Sequence, residues 1–322
     1  MAGDIELGVM LPHFGQDTSR DYLTRIARLA DELGFGSLWT RDHLYIPPEH
    51  QEHGGITEKE FLETFQTLAH VNAVTGDIDL GTCVANAHRR PLKLSQHFGT
   101  LDVLSDGDVV CGGGAGTFRG EFAAMDLPFE KQGQMADEML DVLRRTFTES
   151  RVSHDGEVFS FEDVTINPRP GDDMPSWYAG LSPIAVKRAF RYADGWFPGR
   201  MPFETIDERL ALLDDLESEH GRTLDRSYVT IYNVDEDPDR ARETLNLDRL
   251  VDDVNNLLRA DYDSPGEVEG SFVAGDPTDC VETLERFADR GFGHVVLDAR
   301  HDFEGIERVL ELTADEVLPA LR

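Results

Sequence analysis

His43 closes the run Gly34-Phe35-Gly36-Ser37-Leu38-Trp39-Thr40-Arg41-Asp42-His43, in which a helix end, a turn and a short strand lead to polar residues. An imidazole titrating near neutrality and set directly after a strand can donate or accept a proton. The plainer reading is a loop histidine that caps a helix or pairs with Asp42. A second stretch, Ser105-Asp106-Gly107-Asp108-Val109-Val110, runs into Gly112-Gly113-Gly114-Ala115-Gly116. Such a glycine run leaves the backbone open to a flat ring or a substrate, or it is only a tight turn. Between the two stretches, Leu80 to Asn86 reads as a strand leading into Ala87-His88-Arg89-Arg90-Pro91-Leu92-Lys93. Its basic cluster suits the phosphate or carboxylate tail of an anionic ligand, and surface ion pairing suits it equally. Ser182 is a good N-cap and Pro183 a good first residue for a helix ending at Tyr192, and free amides at a helix N-terminus bind phosphate. His50 and His53, with Glu49 and Glu52, have helical spacing at best, so no metal site is expected there.

Strand-like and helix-like segments that alternate along the whole chain must position these residues. Eight candidate strands are Ile5–Leu11, Ser37–Arg41, Ile78–Ala85, Asp108–Gly113, Ser176–Gly180, Gly195–Pro198, Tyr228–Val234 and His294–Ala299. Amphipathic stretches such as Tyr22-Leu23-Ile26-Ala27-Leu29-Ala30-Leu33 lie between them, with apolar spacings of three and four that mark one buried helix face. Eight βα units predict a closed (β/α)₈ TIM barrel, whose chemistry sits at the C-terminal ends of the strands. Trp39 falls on the same side of its strand as His43 and is expected to pack inside the barrel. An open doubly wound sheet is the competing architecture, but Gly112-Gly113-Gly114-Ala115-Gly116-Thr117 lacks the third glycine of GxGxxG and follows the fourth strand rather than the first. The expected organisation is one barrel domain over residues 1–322 with an acidic helical insertion around 235–270. Loops with a small hairpin are expected from Val152 to Pro175.

Composition narrows the partners. With 63 acidic and 30 basic residues the formal net charge is −33, spread along the chain, and the only lysines are Lys59, Lys93, Lys131 and Lys187. Such a surface suits molar salt, where screening shortens the Debye length to ~3 Å, and a halophilic source is expected. The same field repels phosphate backbones, which argues against nucleic acid as a partner. No apolar run reaches the ~20 residues that cross a bilayer, and no leader is evident, so a cytoplasmic protein without a membrane partner is expected. Cys83, Cys111 and Cys280 are far apart and read as reduced, buried thiols.

The two opening stretches together resemble the luciferase-like flavin and deazaflavin oxidoreductases, and the likeness extends from Gly8 to about Asp298. In that family the matching histidine lies beside the cofactor ring and is often the proton donor or acceptor, which the resemblance carries onto His43, with Asp42 beside it. Cys83-Val84, with Asn86 following, matches a bulge that presses against the middle ring, often through a non-proline cis peptide. Gly114, Ala115 and Gly116 match the family's glycine segment, after which Thr117 and Glu121 are candidates to face the site. Gly180, Leu181 and Ser182, with Gly195-Trp196, resemble the cofactor-phosphate site. The resemblance implies hydride transfer between coenzyme F420 and a small organic substrate, with Arg89, Arg90 and Lys93 meeting the acidic F420 tail. The alternatives are an FMN-dependent monooxygenase and a non-catalytic flavin-binding protein. By family analogy the protein is a homodimer through helices spanning Phe61–Val74 and Leu92–Leu104.

Overall fold

The computed structural model describes residues 5–15, 18–46 and 61–321. The strands are β1 (Glu6–Met10), β2 (Ser37–Thr40), β3 (Asp79–Thr82), β4 (Ala85–Asn86), β5 (Val109–Gly114), β6 (Val152–Asp155), β7 (Ser160–Val164), β8 (Ser176–Tyr178), β9 (Gly195–Trp196), β10 (Asp225–Val234), β11 (Phe272–Gly275) and β12 (His294–Asp298). Parallel pairing runs β1-β2-β3-β5-β8-β9-β10-β12 and returns from β12 to β1, closing a barrel of the eight strands expected from sequence.

Pleating sorts the side chains of each strand between two compartments. Leu7, Val9, Leu38, Leu80, Val109, Val295 and Leu297 belong to the layer packed under the helices. Their alternates, Met10, Trp39, Val110, Trp177, Phe197 and Val296, fill the barrel interior. Trp39 is fully buried there and stacks on Trp177, with ring centroids 5.5 Å apart. Gly81 on the neighbouring strand makes room for it, since a Cβ there would lie 2.3 Å from the indole.

The helices are α1 (Arg20–Glu32), α2 (Thr64–Asn72), α3 (Pro91–Ser105), α4 (Arg119–Ala124), α5 (Gln132–Thr148), α6 (Pro183–Tyr192), α7 (Phe203–His220), α8 (Pro238–Leu245), α9 (Leu247–Leu258), α10 (Pro277–Ala288) and α11 (Ile306–Leu312). α1 starts at Ser19, whose side chain accepts from the Tyr22 amide, and buries Leu23, Ile26, Ala27 and Ala30 as its spacing requires. The hairpin expected after Val152 is present, and one further strand goes beyond the expected pattern. β6 and β7 form an antiparallel hairpin, and the buried carboxylate of Glu138 on α5 accepts the amides of Glu157 at 2.9 Å and Phe159 at 2.8 Å. After α8 and α9, β11 adds to the C-terminal half of β10, a strand not foreseen because its four residues follow a long acidic helical stretch.

Candidate active site

β2 delivers His43 to the C-terminal end of the barrel. His13 supports that strand end: its buried ring accepts from the Arg41 amide at 3.1 Å through Nε2 and bonds the Leu11 carbonyl at 2.9 Å through Nδ1. Burial holds His13 neutral, lowering its pKa to about 4. The His43 imidazole lies between Phe61, edge-on at 5.5 Å, and Phe118 at 4.9 Å. Its Nδ1 donates to Glu121 Oε2 at 3.1 Å, while Glu121 Oε1 accepts the Leu44 amide at 2.6 Å. Glu121, on α4, is fully buried and spends both oxygens on this one segment. The hydrogen bond sets the tautomer and leaves Nε2 of His43 to exchange a proton.

Asp42 turns the other way and is buried. Its carboxylate receives Arg89 Nε at 2.7 Å, Arg89 Nη2 at 2.6 Å and the Asn86 amide at 3.0 Å, and its carbonyl accepts the Asn86 side-chain amide. Burial raises the Asp42 pKa and the Arg89 fork lowers it further, so the carboxyl lies below the ordinary value. Arg89 also reaches Glu63 at 2.7 Å. Two acids take its fork, which binds the end of β2 to the segment after β3. Arg90 is exposed, and together with Lys93 it lines a cavity of about 410 Å³ that His43, His88, His97 and Met125 also border.

The Cys83–Val84 peptide is cis, as the resemblance implies. Both residues are half-buried, so Cys83 is not the wholly buried thiol expected, although burial still pushes it up to about 12. Ala115 and Gly116 are half-buried as well, beyond the end of β5. Gly114 is not open space: a Cβ there would lie 2.3 Å from Val84 Cγ2. The glycine lets β5 pass close to the bulge.

Ser182 caps α6, accepting from the Ala185 amide at 3.2 Å, and Gly180 and Leu181 are half-buried before it. Trp196 is fully buried and donates to the Gly180 carbonyl at 3.0 Å, so it shapes this loop from beneath instead of facing a ligand. Gly195 makes room for Trp177, since a Cβ there would lie 2.4 Å from the indole. Glu49, His50, Glu52 and His53 lie outside the described residues. Among the described residues no group of three or more His, Cys, Asp or Glu is arranged to hold a metal. The sequence reading missed the inward-facing Arg41, Asp298 and Arg200, although the alternation that placed Trp39 also points Arg41 inward.

The family model for luciferase-like monooxygenases matches residues 5–294. The chain belongs to the luciferase-like monooxygenase family. It is therefore an enzyme of the luciferase-like oxidoreductases. The F420-dependent glucose-6-phosphate dehydrogenase of Beutenbergia cavernae is 31% identical over 320 residues, covering 91% of this chain and 91% of the relative. Among solved structures, an F420-dependent secondary alcohol dehydrogenase with an F420-acetone adduct superposes with a TM-score of 0.82 at 20% identity, over 99% of this chain and all (100%) of the other. The FMN-bound oxygenating constituent of 3,6-diketocamphane monooxygenase from Pseudomonas putida superposes at 0.77 with 16% identity, over 98% of this chain and 99% of that one. The fold of this luciferase-like chain is thus common to deazaflavin and FMN proteins. No helix among the described residues is long and apolar enough to cross a membrane.

Proposed function

We propose that this luciferase-like chain is a coenzyme F420-dependent oxidoreductase that moves a hydride between the deazaflavin and a small organic substrate, with His43 exchanging the accompanying proton. The His43–Glu121 pair carries this reading, because it holds a titratable imidazole at the strand end that this fold reserves for chemistry. The residues present fit such a cofactor. Cys83, Val84, Ala115 and Gly116 leave a half-buried edge at one end of the barrel, and the start of α6 offers free amides behind Gly180, Leu181 and Ser182. When bound, the deazaflavin supplies the carbon that accepts or returns hydride. Glu121 orients His43, and Asp42, Arg89 and Asn86 fix the backbone on either side. Arg90 and Lys93 supply positive charge for an acidic tail. F420 is preferred to FMN because the Beutenbergia cavernae relative, 31% identical to this chain, is an F420-dependent enzyme. We extend the proposal to a homodimer through α2 and α3, supported by Val103 and Leu104, which are 67% and 55% exposed at the end of α3.

Paired titrations of the apo protein with F420 and with FMN in molar potassium chloride, read by intrinsic fluorescence, test the assignment. Micromolar F420 binding with weak FMN binding is expected. The reverse preference, with oxygen consumption on reduced FMN, would move the chain to the FMN monooxygenases.

A further inference from the structure

The N-terminal mouth of the barrel, at the opposite end from His43, is acidic. Glu6, Ser37, Asp79, Asp225 and His294 are the first residues of β1, β2, β3, β10 and β12. Pleating turns them inward, because each stands two or four residues before an interior position: Met10, Trp39, Gly81, Val229 and Val296. Register sets Glu6 beside His294 and Ser37 beside Asp79. All five border one cavity of about 460 Å³, whose apolar wall includes Trp39, Val110 and Trp177. Glu6 and Asp225 are exposed at its rim, so a ligand has a way in. Among the described residues no Arg or Lys pairs with Glu6, Asp79 or Asp225; Arg226, the basic residue at the rim, is spent on Asp214 at 2.6 Å and Glu217 at 3.0 Å.

His294 gives an independent observation. It is 7% exposed and packs against Trp39 and Trp177, with ring centroids 5.5 and 5.3 Å away. Its Nε2 lies 2.7 Å from Ser37 Oγ and 3.3 Å from Glu6 Oε1, while its Nδ1 is buried without a hydrogen-bond partner. The Glu6 carboxylate favours the proton on Nε2, which leaves Nδ1 an unmet acceptor, and unmet buried acceptors are rare. Burial and mutual repulsion also raise Glu6, with Asp79 as its neighbour, and Asp79, with Asp108 as its neighbour. Acceptors and carboxylates therefore face a cavity that holds no donor of its own to match them. We propose that this mouth binds an organic cation, an ammonium group on a short hydrocarbon body, with Glu6, Asp79 and Asp225 around the charge and Val110 and Trp177 against the body. A mostly apolar cavity with a few convergent polar groups is the usual form of a small-molecule site. A bare metal ion suits it less, since the space far exceeds one ion and no three ligands converge among the described residues. The site lies away from His43 and does not depend on the hydride-transfer reading.

n-Butylammonium chloride is the probe, exchanged mole for mole against potassium chloride so that ionic strength stays fixed, and followed by thermal midpoint and intrinsic tryptophan fluorescence. A saturable, millimolar rise in midpoint is expected in the wild type, with a fluorescence change at the same concentrations. 1-Butanol, which has the body without the charge, should give neither. Glu6→Gln and Asp79→Asn should each weaken butylammonium by ~10-fold or more. Glu162→Gln, on the exposed face of the β6–β7 hairpin, should match the wild type. Both site variants relieve crowded charge, so their ligand-free midpoints should equal or exceed that of the wild type; if either fails to fold, Asp225→Asn at the exposed rim gives the same reading. Four results would overturn the proposal: no saturable effect on the wild type, an equal effect of 1-butanol, wild-type affinity in the carboxylate variants, or an equal loss in Glu162→Gln, which would assign the effect to diffuse surface charge.

Discussion

At the scale of single residues, the site divides into groups that meet ligand and groups that hold them. His43 belongs to the first kind, and His43→Ala should cut turnover by ~10²-fold or more while F420 affinity stays within several-fold. Steady-state kinetics beside a fluorescence titration would check this, and unchanged turnover would remove His43 from the mechanism. Glu121→Gln keeps an acceptor for the Leu44 amide but loses the charge behind the imidazole, so a smaller loss of turnover with unchanged KM is expected. Asp42 belongs to the second kind. Its folded pKa is depressed, so its pairing with Arg89 stabilises the protein above the ordinary carboxylate value of 3.8 and is lost as pH falls through the folded value. Arg89→Met strands a buried carboxylate and should cost ~3 kcal/mol at neutral pH. In denaturant titrations that gap should narrow below about pH 4 as Asp42 takes up a proton in either protein. Equal losses at pH 4 and pH 7 would show that the pair is not what stabilises this corner.

At the scale of elements, the site depends on two loops pressed together and one helix start. Gly114 at the end of β5 serves its close passage against the bulge. Gly114→Ala would drive a methyl into Val84 and should displace the bulge, lowering cofactor affinity tenfold or more by titration, whereas Gly266→Ala, with nothing within 4 Å, should be silent. Ser182→Ala removes the cap of α6 and should cost ~1 kcal/mol of stability. If the helix start also holds the cofactor phosphate, the same variant weakens F420 binding; an affinity equal to wild type would confine Ser182 to capping. The β6–β7 hairpin shows the converse case, in which one buried carboxylate on α5 organises an element that contributes no residue to the site.

At the scale of the whole molecule, charge and buried histidines set the working conditions. With a net charge of −33, self-repulsion opposes folding until salt shortens the Debye length to ~3 Å near 1 M, so the melting midpoint should climb steeply from dilute to molar potassium chloride. A midpoint indifferent to salt would count against halophilic adaptation. Burial lowers His13, His294 and His301 to about 4 from 6.5. The unfolded chain binds these protons at a higher pH than the folded one, so stability is complete above about pH 6.5 and falls as pH drops toward 4. Stability curves measured between those limits should slope upward with pH, and His294→Gln should flatten part of the slope.

What the sequence determined by itself is local and periodic. Alternation marked all eight barrel strands, spacing of three and four marked the helices, and Ser182-Pro183 marked a helix start, because each signal depends on neighbours within a few residues. It also placed His43 at a strand end and showed a glycine run near the same end. Partnership was decided by barrel closure and register. Glu121 reaches His43 from 78 positions away, Arg89 reaches Asp42 and Glu63, and Arg41, Arg200 and Asp298 converge from three strands. Side-chain pairing across strands depends on where each strand sits around the barrel, and a one-residue shift would turn every partner to the opposite face.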